Sequence, residues 1–283
     1  MKNGKTNSQA PPAPSDEQMM EKTTHGWLRP YLIVLDEMFL KRWDYWLRTV
    51  EAGVVLDEPI PQIEWSGGGH QEPRKNLTAC VDFGFYRLSR QSFPLFVEWL
   101  LYGFGDPAVQ EMPRQIASDV NAFWYKIFNL GLFLKYPYDY LGEYASDLYG
   151  RGRNNPTAYF PTPMHVSVLM VKMLFSEEDR KTASVCDPCV GSGRLLMAAS
   201  NYSLNLYGVD IDANILKVCK ANMWMFVPWC MVRPEIKGLE PVVPFQRPEA
   251  PTLQPIQQTT PEVQKKLLEY GEQMNLFAGI GKR

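Results

Sequence analysis

The sequence lacks the features that mark several large classes of protein. Its 283 residues carry a net charge of only −2, so no overall positive charge attracts the chain to nucleic acid. No apolar run approaches the roughly 18 residues of a membrane span, and the N-terminus has no apolar signal segment. The five cysteines are odd in number and irregularly spaced, which favours reduced thiols over a disulfide framework. These absences predict a cytoplasmic globular protein with no membrane contact, whose contacts with DNA are indirect or local.

Composition divides the chain into four stretches. Residues 1–24 are polar and proline-rich, as disordered tails are. Residues 25–137 carry apolar stripes at helical spacing and predict a helical region. Residues 138–227 combine strand and helix patterns. Residues 228–283 are broken by prolines and predict a tail with one terminal helix, for which Thr260 is the candidate cap.

Three helices and one loop are predicted within residues 25–137. The first helix covers 27–50 and starts near its proline. Residues 52–75 hold three prolines and three consecutive glycines, so they are predicted to form a loop. A short buried helix is expected over 92–105, and a longer one with an aromatic and aliphatic stripe over 113–136.

The second half of the chain carries a different pattern around "VCDPCVGSGRLL", residues 185–196. The segment "SVCDPC" predicts a short strand that enters a glycine-rich turn, and "GRLLMAAS" opens a helix. A second strand, "LNLYGVDI", and a further helix, "DANILKVCKANMWMF", follow. This order predicts an α/β fold, with a mostly helical N-terminal half and a partial Rossmann-like parallel sheet.

Two cysteines in this turn allow a metal or redox interpretation. Cys186 and Cys189 have the spacing of half a zinc site or of a thiol pair. A structural zinc site needs a second close pair of ligands, whereas Cys80, Cys219 and Cys230 are isolated and the three histidines are scattered. The sequence therefore predicts no metal site, and the simplest alternative is that both cysteines are small buried side chains beside a turn.

The glycines and acids of the same turn favour a cofactor site. Gly191 and Gly193 permit backbone angles closed to other residues, and the helix that follows presents free N–H groups. Asp187 ends the first predicted strand, and Asp210 ends the second, where an acid can bind ribose hydroxyls; Asp212 is an alternative. A carboxylate inside the turn would repel pyrophosphate and suits a positively charged ligand such as S-adenosylmethionine.

These segments resemble the motifs of N6-adenine DNA methyltransferases, and particularly of the modification subunits of type I restriction systems. "DPCVGSGRLL" is similar to the family's D-P-x-C-G-S-G-x-x-L motif. "AYFPTPMHVSVLMVKML" looks like its F-x-TP segment and following helix, and "YDYLGEYASDLYGRG" like the helix before it. "LYGVDIDANILKVCKANMWMF" is similar to its second strand and next helix. The resemblance covers roughly 138–227, with two departures: Val190 replaces the loop cysteine, and Pro161 replaces the tyrosine of Y-T-P.

The resemblance implies roles for individual residues in binding S-adenosylmethionine. Asp187, followed by Pro188, would contact the methionyl amino group, and the main chain from Gly191 through Ser192 to Gly193 would pass under the methionine. Asp210 or Asp212 would hold the ribose, while Phe160 and Thr162 would close one wall. Three alternatives stay open: Phe160 as a plain core aromatic, Asp210 as a helix N-cap, and Asp212 as that cap.

The sequence does not contain the family's catalytic tetrapeptide, N/D-P-P-F/Y/W, which holds the flipped base. The proline-broken tail also leaves no room for the family's later strand–helix units, so we expect an incomplete sheet with an unpaired edge. The predicted function is the S-adenosylmethionine-binding portion of an adenine methyltransferase in restriction–modification, inactive alone. A second chain would complete the sheet or supply the tetrapeptide. The alternatives are a catalytically dead scaffold, sensor or decoy, and an interaction module without a cofactor.

Overall fold

The computed structural model describes residues 23–150, 159–175, 181–239 and 245–246. The predicted terminal helix and nearly all of the predicted N-terminal tail lie outside these residues. The helices and strands of the described chain are α1 (Arg29–Phe39), α2 (Arg42–Ala52), α3 (Gln71–Leu88), α4 (Ser92–Phe104), α5 (Ser118–Ile127), α6 (Leu130–Lys135), α7 (Tyr140–Gly150), α8 (Met164–Leu174), β1 (Ser184–Asp187), α9 (Arg194–Ala199), β2 (Asn205–Val209), α10 (Ala213–Phe226), α11 (Pro228–Met231) and β3 (Phe245–Gln246).

The sheet is small and parallel, in the order β1-β2-β3. Ser184 lies opposite Asn205 and Asp187 opposite Gly208, so every residue of β1 has a partner in β2. In the described part of the chain, β3 pairs with the end of β2. Strands joined by crossover helices confirm the predicted α/β class and the predicted order of strand, turn, helix, strand and helix. Within the described residues β1 has no neighbour on its outer side, so this is an edge of the sheet.

The predicted helix over 27–50 is wrong in one respect, because the structure divides it into α1 and α2. Lys41 stands between them with a φ of 59°, which is a left-handed conformation that no helix continues through. The Trp43 backbone N–H donates to Oδ2 of buried Asp36 at 2.7 Å. A carboxylate on the first helix thus satisfies a free amide at the start of the second, which stabilises the break.

The predicted helix over 113–136 is also divided, into α5 and α6. Asn76 of α3 pairs with both sides of the break: its amide donates to the Ile127 carbonyl at 2.8 Å, and its oxygen accepts from the Asn129 N–H at 3.0 Å. The predicted loop over 52–75 is too long, since α3 begins at residue 71 with Pro73 in its first turn, where proline is tolerated. The short buried helix ending at glycine is confirmed as α4, followed by Gly105 with a φ of 79°.

The N-terminal helices and the α/β segment share one hydrophobic core. Trp43 stacks on Trp224 of α10, with ring centroids 5.9 Å apart, and Trp46 meets Trp229 of α11 edge to face. The fully buried Arg42 donates to the Ser200 hydroxyl at 2.7 Å and to the Phe226 carbonyl at 2.9 Å. These contacts hold α10 in place, and α10 in turn supports the turn that follows β1.

Candidate functional site

The turn between β1 and α9 is shaped by glycines. Gly191 and Gly193 have φ values of 54° and 93°, in the region that side chains disfavour. The Val190 N–H of this turn donates to the Val209 carbonyl at the end of β2 at 2.9 Å. The Val190 side chain is buried. A Cβ on Gly208 of β2 would stand 2.6 Å from the Val190 side chain, so this glycine lets the turn lie directly on the sheet.

Gly193 faces away from the open side of the turn. A Cβ there would stand 2.6 Å from Met223 and 2.8 Å from Cys219, both on α10. Gly193 is not among the residues that line the neighbouring cavity. Position 193 therefore requires glycine for two reasons, the close approach of α10 and the positive φ angle. A contact between Gly193 and a cofactor stays a prediction.

A cavity of about 310 Å³ opens where β1 and β2 end. This volume falls at the lower end of the roughly 300–1,000 Å³ of small-molecule sites. Eight of the nine residues predicted for the cofactor site line it, namely Phe160, Thr162, Asp187, Pro188, Gly191, Ser192, Asp210 and Asp212. The structure thus brings together residues from three separate segments of the chain, and it adds Tyr159, Ser167, Arg194, Ile211 and Ile215, which the sequence had not singled out.

Three carboxylates face this cavity, and each has a different local role. Asp187 accepts the Cys189 N–H at 3.0 Å; burial raises its pKa, the hydrogen bond opposes this, and nearby Asp210 raises it further. Asp210 accepts the Gly191 N–H at 2.8 Å on one oxygen and the Asp212 N–H at 2.9 Å on the other. It therefore ties the glycine turn to the end of β2.

The cap of α10 is Asp212, whose Oδ1 accepts the Asn214 and Ile215 N–H groups at 2.9 and 3.3 Å. The interpretation of Asp212 as the cap is confirmed, and the interpretation of Asp210 as the cap is wrong. Asp210 is thus left as the acid whose remaining lone pairs can take hydrogen bonds from a ligand.

Phe160 lies at the rim of the cavity and is 77% exposed. The alternative in which Phe160 is a plain core aromatic is therefore wrong. The buried ring of this segment is its neighbour, Tyr159, whose hydroxyl donates to the Gly142 carbonyl at 3.4 Å. An exposed aromatic ring beside an acidic cavity offers a flat apolar surface to a ligand.

The two cysteines of the turn are free and exposed, so the interpretation of Cys186 and Cys189 as small buried side chains is wrong. Cys189 lines the cavity next to Asp187. Across the described part of the chain, no group of three or more His, Cys, Asp or Glu side chains is placed to hold a metal ion. The charged side chains that line the cavity are three carboxylates and Arg194, and the Arg194 charge is paired with Asp139 outside the lining, so the carboxylates are available to an organic cation.

Sequence comparison gives a family match for this region. Residues 138–226 match the family model of N-6 DNA methylases. The match covers less than half of the chain, so it shows that this segment is similar to N-6 DNA methylases. The match has almost the same bounds as the resemblance over 138–227, and it covers α7 to α10 and the cavity between them. No curated protein and no solved structure matches the chain with significance.

The similarity of this segment to N-6 DNA methylases bears on the kind of ligand that the cavity fits. The family consists of methyltransferases that act on DNA and generally use S-adenosylmethionine as the methyl donor. The carboxylates at the ends of β1 and β2 fit that donor, because it combines positive charge with ribose hydroxyls. Separately, none of the helices in the described ranges is long and apolar enough to cross a membrane.

Proposed function

We propose that the cavity beside Asp187 and Asp210 binds S-adenosylmethionine. The observation that carries the proposal is the convergence of two acids, from the ends of adjacent parallel strands, on one open cavity in an N-6 DNA methylase segment. The bound donor supplies a methyl group activated by the positive sulfur to which it is attached. The chain's own residues bind and orient that donor.

Each residue has a defined part in this proposal. The Asp187 carboxylate balances the positive charge of the amino group, and Asp210 accepts hydrogen bonds from ribose hydroxyls. Phe160 and Thr162 close the side of the cavity opposite the strands. Gly191 and Ser192 line the cavity with their backbone, and a Cβ on Gly191 would stand 3.2 Å from the Tyr159 ring, which lines the cavity too.

We propose adenine in DNA as the methyl acceptor, within a restriction–modification system, and a second polypeptide as the source of the catalytic tetrapeptide. Two features of the described chain support a partner: β1 has an unpaired outer edge, and α8 exposes Leu169, Met173 and Leu174. DNA would be contacted locally or through that partner. The same exposed helix favours a second candidate function, that of a scaffold, sensor or decoy that works through protein contacts without catalysis.

Isothermal titration with S-adenosylmethionine tests the binding proposal. The wild-type chain should bind, and Asp187→Asn, which removes the charge and keeps the shape, should weaken binding about tenfold or more. Asp57→Asn is the matched control, because Asp57 is an exposed carboxylate that does not line the cavity, and it should bind like wild type. No heat and no thermal shift at millimolar ligand would remove the proposal.

A methylation assay on adenine-containing DNA separates the two candidate functions. With proteins that co-purify with the chain, a methyltransferase component should transfer labelled methyl groups, whereas a scaffold, sensor or decoy should transfer none. The chain alone should be inactive in both cases. Transfer by the purified chain alone would contradict the need for a second polypeptide.

A further inference from the structure

A buried carboxylate, Asp139, lies behind the cavity at the start of α7. It is fully buried and accepts hydrogen bonds from four groups, which come from α7, the glycine turn, α9 and α10. The Gly142 N–H lies at 2.7 Å, the Ser192 hydroxyl at 2.5 Å, the Arg194 Nε at 2.7 Å and the Asn222 amide at 2.7 Å. One side chain therefore joins four separate elements around the cavity.

Arg194 extends this network to the opposite wall. Its side chain is 9% exposed, and one terminal nitrogen donates to the Thr162 carbonyl at 3.1 Å. Thr162 lies two residues after Phe160 on the wall that closes the cavity. A rigid, forked guanidinium can donate in two directions at once, and here it spans the distance between a buried carboxylate and a backbone carbonyl.

The charge of Arg194 is held inside the protein by Asp139. Burial lowers the pKa of Arg194. The charge of Asp139 and the hydrogen bond from Arg194 to Asp139 raise it, as do the nearby Tyr138 and Tyr159, and together they keep that pKa above its ordinary value. The guanidinium also lies over the Tyr138 ring, 5.7 Å from its centroid. Its positive charge is therefore matched by Asp139, and the acids at the ends of the strands keep their charge for a ligand.

We propose that Arg194 is a positioning residue, which fixes the wall formed by residues 160–162 against the glycine turn through Asp139. The inference deepens the proposed function and rests on it, because the wall has a purpose only if the cavity binds S-adenosylmethionine. Arg194 acts through the Thr162 carbonyl and Asp139, whereas Asp187 and Asp210 face the ligand themselves.

Hydrogen exchange measured by mass spectrometry, without any ligand, tests the positioning role. Arg194→Lys keeps the charge beside Asp139 but replaces the fork with a single ammonium, which cannot reach both partners. We expect faster exchange in the peptide covering 159–168, where the Val166 and Ser167 N–H groups bond to the Pro163 carbonyl. Exchange in α4 should be unchanged. Arg74→Lys, which alters a bidentate pair with Glu143 away from the cavity, is the matched control and should leave the wall unaffected.

Titration of the same variants with S-adenosylmethionine gives the second readout. Arg194→Lys should weaken binding about tenfold with little change in Tm, and Arg74→Lys should bind like wild type. Unchanged exchange of the wall in a folded Arg194→Lys or Arg194→Met protein would overturn the inference. So would equal acceleration in α4, since that would show general loosening. If the wall loosens but the wild-type chain binds no S-adenosylmethionine, Arg194 positions the wall and the proposed function fails instead.

Discussion

The two flanks of the α/β segment differ in how they are covered. The inner flank, formed by α10 and α11, packs against the N-terminal helices through Trp224 and Trp229, both about 1% exposed or less. The outer flank, formed by β1 and α8, carries Met173 and Leu174 at 78% and 73% exposed. Parallel sheets are normally covered on both faces, because these faces are apolar, and their edges expose unpaired backbone N–H and C=O groups. The described chain thus buries one flank completely and leaves the other open beside the cavity.

The difference indicates what the N-terminal helices contribute. Within the described chain they contact α10 and α11 and leave the outer edge of β1 free. They support α10, and Asn222 on this helix donates a hydrogen bond to Asp139. The inner flank therefore supports the turn that lines the cavity, and the outer flank is where the proposed partner would bind.

Truncating the central ring of the inner flank should have the largest effect on stability. Trp224 stacks with both Trp43 and Phe104, and its indole N–H donates to Asp106 at 3.0 Å. Trp224→Ala should lower the free energy of unfolding by about 3–5 kcal/mol in urea titrations. Met173→Ala on the outer flank should change it by less than about 0.5 kcal/mol. Similar losses of unfolding free energy in the two variants would contradict the difference in packing between the two flanks.

Removing the buried cation of the inner flank should have the next largest effect. Arg42 also bonds to the Pro61 carbonyl and to Asn201, and burial lowers its pKa to about 9. Arg42→Met would leave these acceptors unpaired and should cost about 3 kcal/mol of unfolding free energy. The control is Arg48→Met, which removes exposed ion pairs and should cost less than about 1 kcal/mol. A loss as small as that of the control would show that the Arg42 network contributes little.

Asp36 makes the stability of the inner flank depend on pH. Burial raises its pKa from 3.8 to about 6, so the folded state binds a proton between these values while the unfolded state does not. Stability should therefore fall as pH rises from about 4 to 6, and stay lower above that. Asp36→Asn should raise the free energy of unfolding by about 1–3 kcal/mol at pH 8, with the gain disappearing below pH 4. Chemical unfolding at the two pH values measures this, and a loss at pH 8 would contradict it.

Asp187, at the end of the open strand β1, should show the smallest and most specific effect. Burial raises its pKa, so it takes up a proton at a higher pH than an ordinary aspartate does. Affinity for S-adenosylmethionine should therefore decline as pH falls from 7.5 towards that raised pKa. Titration at a series of pH values should show the decline in wild type and not in Asp187→Asn. A wild-type affinity that stays constant to pH 4 would mean that this carboxylate does not meet the ligand's charge.

Local patterns predicted the strands, turn and helices of the α/β segment well, because the residues that form them are close together in the sequence. The strand ending at Asp187, the glycines after it and Asp210 are close together in sequence, and each has one physical reason for its residue type. The breaks around Lys41 and Phe128 could not be predicted in this way. They depend on side chains of other elements, such as Asn76 from α3, that satisfy the backbone at the break. The apolar periodicity of the sequence continues across both breaks, so it does not indicate that a helix ends there.

The network around Asp139 was missed for a related reason. Asp139 is separated by 53 residues from Ser192 and by 83 from Asn222, so no spacing in the sequence links them. Arg194 could have been noticed, since a charged residue directly after the glycines, on a helix that packs on the sheet, needs a buried partner. The exposure of Phe160 depends on the tertiary fold and likewise has no local pattern.

Photolabelling with S-adenosylmethionine carrying a radioactive methyl group tests the central claim most directly, because it reports where the ligand lies. After ultraviolet irradiation and trypsin digestion, we expect label in the peptides covering 154–172 and 182–194, which contain Phe160 and Asp187. Excess unlabelled ligand should remove it. Label confined to peptides from the N-terminal helices, such as 91–114, or no label that the unlabelled ligand displaces, would contradict a cofactor site at the ends of β1 and β2.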